Sequence, residues 1–231
     1  MMSEKAMVLF SGGVDSTTCL GLALERFGKE QVVPLSVTYG QKHKKELEAA
    51  QCILAFYGLQ GMELDLTTIF TYSDCSLLAH SNKKIPEESY ASQLEKKQGK
   101  VADTYVPFRN GLFLSAAASM ALSVGCSCIY YGAHKDDAAG SAYPDCSKAF
   151  FDSMSQAVYE GSGKMLRLEA PFIGCNKAQV VKEGLRLQVP YELTWSCYEG
   201  GERPCGRCGT CIDRRRAFEE NHVADPAAAR S

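Results

Sequence analysis

Two groups of residues in this 231-residue chain are typed and spaced for chemistry. The first is Ser11-Gly12-Gly13-Val14-Asp15-Ser16. It follows a short apolar run, Met7 to Phe10, and precedes an amphipathic run with Leu20, Ala23, Leu24 and Phe27 on one side. The pattern predicts strand, turn and helix. That layout holds phosphate: glycines let the backbone approach a polyanion closely, and the free N–H groups of a helix start point at it. Asp15 adds a carboxylate whose sensible roles are helix N-cap or magnesium ligand. No Gly-Lys-Ser/Thr follows, so this is not the loop that grips terminal phosphates with a lysine. The plain alternative is a ligand-free Ser/Gly turn, against which the strand–turn–helix context speaks.

The second group is Cys197, Cys205, Cys208 and Cys211, spaced C-x7-C-x2-C-x2-C. Two consecutive C-x2-C turns place three thiolates around one ion, and the upstream cysteine completes a tetrahedron. Gly206 and Gly209 flank Cys208, as tight knuckles require. Four sulfurs with no open position point to structural rather than catalytic zinc. A cubane iron–sulfur cluster is the rival reading, because four thiolates also suit iron. The other seven cysteines show no such spacing and read as core or half-buried thiols.

The elements that must position these groups follow from periodicity. Gln31 to Tyr39 is a β-rich run; a helix starts near His43, with Leu47, Ala50, Leu54 and Tyr57 on one side; Met62 to Leu66 is a third strand. Thr71 to Asp103 is polar and reads as an insertion or lid. Asn110 is expected to cap a nearly all-apolar helix, Leu112 to Val124, buried on most sides. Strands at Cys128–Tyr131 and Met165–Ala170 and a helix at Phe150–Tyr159 follow. Asn176 with Gln179 opens a further helix through a capping-box pattern. Arg214-Arg215-Arg216 splays over different helix faces and reads as solvated or capping, and the tail from Asp225 as frayed.

Alternating strands and helices predict an α/β fold, a doubly wound parallel sheet, with ligands at the carboxyl ends of its strands. The expected organisation is an α/β domain over residues 1–190 that carries the phosphate-holding loop, with the insertion at 71–103, and a small C-terminal zinc-binding segment over 191–231; the resemblance described next implies that the first domain binds ATP. A net charge of −2 gives no global footprint for nucleic acid. No apolar stretch is long enough to span a bilayer and no signal-peptide core is present, so no membrane partner and a cytoplasmic location are expected. Eleven cysteines then argue for reduced thiols or metal ligation.

The loop resembles the pyrophosphate (PP) loop of the N-type ATP pyrophosphatases, of the adenine-nucleotide α-hydrolase fold, which bind magnesium-ATP, adenylate a substrate oxygen and release pyrophosphate. A wider set of runs appears in order: Thr38-Tyr39-Gly40-Gln41-Lys42-His43, Val106-Pro107-Phe108-Arg109-Asn110, Gly132-Ala133-His134, Tyr143-Pro144-Asp145-Cys146 and Thr194-Trp195-Ser196-Cys197-Tyr198. With the cysteine cluster they are similar to the 7-cyano-7-deazaguanine synthase family of queuosine precursor biosynthesis, from about Met7 to Pro226. The match departs at Phe108, where glycine is expected, and at Lys42, where arginine is usual.

The resemblance implies conversion of a carboxylate on a deazaguanine base to a nitrile with ammonia and ATP, by a homodimer carrying Mg2+ and Zn2+. It implies that Phe10, Ser11, Gly12, Gly13, Val14, Asp15, Ser16, Thr17 and Thr18 hold the nucleotide. Val37 to Tyr39 would border adenine or ribose. The expected catalytic set is Asp15, Arg109, Lys177, His43 (as base toward ammonium) and Asp137. Tyr39, Gln41, Arg109, Asn110, Tyr143 and Asp145 are the expected substrate contacts, with Asp136, Asp137 and Asp145 able to accept hydrogen bonds from a guanine-like edge. Each of these has a duller reading: surface ion pair for Arg109 or Lys177, turn or cap for the aspartates, packing for Tyr143 and His43. Thiolation of tRNA, ammonia-dependent synthesis on another carboxylate, and a zinc-ribbon binding module with a degenerate loop are the alternatives.

Overall fold

The computed structural model describes residues 4–89, 92, 93, 95, 101–138 and 142–229. Five parallel strands form one sheet: β1 (Ala6–Leu9), β2 (Val32–Thr38), β3 (Met62–Asp65), β4 (Cys128–Tyr130) and β5 (Arg167–Glu169), in the order β3-β2-β1-β4-β5. Val8 sits beside Pro34 on one side and Tyr130 on the other, so β1 is central. Both faces are covered, as a parallel sheet requires. Ala6, Val8 and Phe10 pack on one face against α1 (Val14–Phe27) and α2 (Lys45–Tyr57), and with Val180 of α5 (Lys177–Arg186). Met7 and Ile129 pack on the other against Leu114, Ala117 and Ala121 of α3 (Arg109–Ser123) and Val158 of α4 (Lys148–Gly161). Chain direction across the sheet reverses between β1 and β4, which opens a crevice at their carboxyl ends.

Most elements lie where periodicity put them, including the complete Asn176–Gln179 capping box that opens α5. Four expectations are corrected. Asn110 does not cap α3. The helix begins at Arg109, three residues before Leu112, after Phe108 adopts a left-handed conformation (φ 52°), and Asp145 supplies the cap: its Oδ2 accepts the Asn110 N–H at 2.8 Å. The left-handed turn at Phe108 accounts for glycine being the expected residue there. The same helix is not buried on most sides; Gly111, Leu114, Ala117 and Ala121 form its core face while Ser115, Ser119 and Leu122 are exposed.

Arg214 is neither solvated nor a cap. It lies on α6 (Gly209–Glu220), is 5% exposed, and its guanidinium donates to both Asp225 carboxylate oxygens, to Thr194 Oγ1 and to the Tyr191 carbonyl. Arg215 and Arg216 do face solvent. The tail is correspondingly docked rather than frayed: Asp225 is held by Arg214, and Ala227 is buried. The start of the polar segment is also anchored, since Cys75, Leu77, Leu78 and Ile85 pack in one cluster with Trp195 and the knuckle cysteines, and Gln41 bridges Leu78.

A buried ion pair that loses one partner leaves an uncompensated charge, which costs about 3–5 kcal/mol. Asp225→Ala is therefore expected to lower unfolding free energy by that amount in urea titration, with native far-UV circular dichroism retained before the transition.

Candidate active site

The crevice holds a cavity of about 250 Å³. Its floor is the loop between β1 and α1. Gly12 has φ +81°, and a Cβ there would lie 2.5 Å from the Ala50 nitrogen of α2, so only glycine lets the loop nest against that helix. Gly13 is the α1 N-cap residue, and no side chain caps the helix start. Inside the loop, Ser11 Oγ and Ser16 Oγ are 3.1 Å apart, the Ser11 N–H donates to Ser16 Oγ, and the Thr17 hydroxyl donates to the Gly13 carbonyl at 2.6 Å. The first-turn N–H groups of α1 have no acceptor within the helix. This is a built anion cradle. Thr18, by contrast, is fully buried and bonded to the Val14 carbonyl and the Tyr191 hydroxyl, away from the cavity.

Charges are concentrated beside the cradle. Asp15 Oδ2 is paired with Lys177 Nζ, whose own backbone N–H donates to Asp136. His134, 3% exposed, sits between Asp15 Oδ1 at 3.6 Å and Asp137 Oδ2 at 3.4 Å. Burial pushes the Asp15 carboxyl up, but Lys177 and His134 outweigh it and hold Asp15 well below the usual carboxylate range. Burial pushes the His134 imidazole down, and Asp137 and Asp15 more than reverse that, so it is raised. Burial raises Asp137 against the opposing pull of His134 and Lys177. Asp15 Oδ1 and both His134 ring nitrogens lack hydrogen-bond partners among the described residues. A buried carboxylate oxygen without a hydrogen-bond donor, beside the loop, is an oxygen ligand of the kind a magnesium ion takes.

The apolar end of the cavity is formed by Leu9, Leu35, Val37 and Phe113, suited to a flat heterocycle. Arg109 stands 5.2 Å over the Tyr39 ring and donates to its hydroxyl at 3.3 Å. Gln41, Asn110 and Tyr143 also line the wall. Asn110 is engaged with the Asp145 carbonyl and Cys146 Sγ. Asp145 itself is 4% exposed behind the wall, committed to the α3 cap. His43 lies outside the wall; its ring packs at 6.5 Å from Trp195 and against the Gly200 turn of the knuckle.

The C-terminal segment closes the cavity. Trp195 N–H donates to the Gly12 carbonyl at 3.0 Å, and Trp195 Nε1 donates to the Cys197 carbonyl. Trp195, Ser196, Tyr198, Thr210 and Asp213 thereby face the loop. The sulfurs of Cys197, Cys205, Cys208 and Cys211 lie within 4.8 Å of one another, with N–H groups of Cys205 and Glu199 donating to Cys197 Sγ. Four convergent thiols with backbone donors at sulfur fit a bound metal ion.

Sequence reasoning left Glu46, His134, Trp195, Thr210 and Asp213 without site roles. His134 and Trp195 were within reach, since both lie inside the runs that carry the resemblance. Glu46 was absorbed into the polar face of α2, and Asp213 had no signal beyond its place after Cys211.

A parallel sheet with a phosphate cradle at its topological switch point and a cysteine knuckle closing the crevice defines an enzyme of the PP-loop class. The family model described as "Queuosine biosynthesis protein QueC" matches residues 5–222, and the chain belongs to that family. Curated 7-cyano-7-deazaguanine synthases are similar nearly end to end. That of Archaeoglobus fulgidus is 40% identical over 223 residues, covering 96% of this chain and 89% of the relative. That of Oceanobacillus iheyensis is 38% identical over 231 residues, covering 98% of each. Among solved structures, the U34-tRNA thiolase NcsA from Methanococcus maripaludis with its [4Fe-4S] cluster shares the fold, with a TM-score of 0.52 and 14% identity over 97% of this chain and 68% of that one.

A depressed carboxyl contributes stability that is present above its unfolded value, about 3.9, and lost as pH falls toward its folded value. Lys177→Met removes the cation that depresses Asp15. The loss of unfolding free energy between about pH 5 and pH 3 is expected to be smaller in Lys177→Met than in the parent, measured by urea titration across that range.

Proposed function

We propose that this chain converts 7-carboxy-7-deazaguanine and ammonia to 7-cyano-7-deazaguanine at the expense of ATP. The observation that carries this reading is the anion cradle at Ser11–Ser16 with Asp15 and Lys177 beside it, in a chain of this family. A carboxylate is a poor electrophile. Attack of its oxygen on the α-phosphorus of ATP releases pyrophosphate and leaves an acyl adenylate. Ammonia then displaces AMP to give the amide with loss of a proton. Attack of the amide oxygen on a second ATP, with loss of one N–H proton, releases pyrophosphate again, and departure of AMP with loss of the second N–H proton yields the nitrile. Thiolation of tRNA, the activity of the NcsA neighbour, is less well supported, because that likeness is one of fold alone.

The chain's residues supply positioning and charge. The loop and the start of α1 hold the triphosphate. Asp15 offers Oδ1 to magnesium, which supplies charge neutralisation on the phosphates when bound. Lys177 Nζ, paired with Asp15 Oδ2 beside the loop, would offer its charge to a phosphate oxygen. Arg109, stacked on Tyr39, faces the reacting carboxylate. The Asp137–His134 pair can accept the proton released on amide formation, since it lies within the same wall as Lys177.

Zinc is the proposed ion of the knuckle. A single ion with bonds of about 2.3 Å sets its sulfurs about 3.8 Å apart, in keeping with the compact sulfur set, whereas a cubane spreads its four thiolates over separate irons. A homodimer and a cytoplasmic location belong to the same proposal. Among the described residues no helix is long and apolar enough to cross a membrane.

Metal-replete protein supplied with ATP, ammonium and 7-carboxy-7-deazaguanine is expected to release AMP and pyrophosphate and to form the nitrile by mass spectrometry. Asp15→Asn should lower turnover by about 10²-fold or more, as removal of a preorganised charge contact does. Absence of base-dependent AMP release would overturn the reading. Elemental analysis is expected to find one zinc per chain, lost in Cys208→Ser together with the native unfolding transition of the C-terminal segment.

A further inference from the structure

A guanine-type edge presents two parallel donors, the ring N1–H and the 2-amino group, and a single carboxylate matches both. The carboxylates around the cavity are not equally free to do this. Asp15 is paired with Lys177, Asp136 accepts the Lys177 backbone N–H, Asp137 lies against His134, and Asp145 caps α3 from behind the wall. Asp213 faces the same charged group, with Lys177, Asp137 and Asp136 as its electrostatic neighbours, where the phosphates belong.

Glu46 differs from all of these. It stands in the first turn of α2, half-buried in the cavity wall. Its carboxylate makes no hydrogen bond and no ion pair among the described residues, and Arg109 and Tyr39 are its electrostatic neighbours. Burial pushes its carboxyl up to about 7 against the pull of Arg109. Two aromatic residues, Tyr39 with Arg109 over its ring and Trp195, share that wall and add apolar surface beside it. Arg109 serves the same end of the cavity and suits the substrate's carboxylate.

We propose that Glu46 is the specificity residue for the base, its two carboxylate oxygens accepting from N1–H and the 2-amino group while Arg109 faces the carboxylate to be activated. This rests on the functional reading given above and goes beyond it by assigning the group that distinguishes a 2-amino base from one without that amine. Deleting the matched pair leaves buried groups unpaired, so discrimination is expected to be large.

The test is equilibrium binding of 7-carboxy-7-deazaguanine, and of its analogue lacking the 2-amino group, to full-length metal-replete protein with a non-hydrolysable ATP analogue and magnesium. Wild type is expected to prefer the 2-amino base by about 10- to 100-fold, as a good bidentate pair discriminates. Glu46→Gln should lose that preference through weaker binding of the 2-amino base while its affinity for the ATP analogue stays unchanged. Glu46→Asp, which keeps the charge facing Arg109 and withdraws the acceptors, should lose the preference as well. Preference retained in both variants would overturn the assignment alone. Loss of nucleotide affinity with base preference intact would assign Glu46 to the adenine and also overturn it. Wild type that binds neither base would remove the functional reading, and the assignment with it.

Discussion

The absence of a side chain at Gly12 is the constraint on which the rest of the site depends. The backbone of α2 comes so close to this residue that a β-carbon has no room, and the left-handed φ of +81° is one that other residues adopt only at a cost. Because the loop can sit there, its Gly12 carbonyl is presented to the Trp195 N–H, and three parts of the chain far apart in sequence meet around one turn. α1 then starts at the switch point with its free N–H groups aimed into the crevice. The cradle is thus a product of close backbone packing, with Ser11, Ser16 and Thr17 bracing it from inside.

The charge beside the cradle follows from the same packing. Asp15 is carried into a semi-enclosed position where burial alone would neutralise it, and Lys177 and His134 keep it ionised. That balance places the Lys177 ammonium, the His134 imidazole and two carboxyl groups within one small volume, counting Asp137. A set of this kind is paired yet exchangeable. A ligand bringing its own metal and phosphates can take over Asp15 and Lys177 separately without leaving either buried and alone.

Much of this was legible in the sequence because it was local. Strand, loop and helix periodicity, the C-x2-C turns and the Asn176–Gln179 box are all encoded within a few residues of each other. What stayed hidden depends on partners distant in sequence. Arg214 reads as one of three solvated arginines until Asp225, Thr194 and Tyr191 are seen around it. Asn110 has the residue type of a cap, yet the cap comes from Asp145, 35 residues away. Glu46 is one charge among several on an amphipathic helix, and only the closure of Trp195 over the loop turns it inward. The positive φ at Phe108 has no signal in the residue itself, and only the resemblance marks the position as one where glycine is expected.

The order of these parts along the chain has a consequence for how the protein comes into being. Synthesis proceeds from the N-terminus, and the sheet with its cradle lies almost wholly ahead of Trp195. The wall formed by Trp195, Ser196, Tyr198, Thr210 and Asp213, and the Arg214–Asp225 clasp behind it, reach the fold after the sheet. A nascent or clipped chain can therefore own the phosphate cradle without owning a closed reaction chamber. The segment that carries the cysteines is thus also the one that closes the chamber over the cradle.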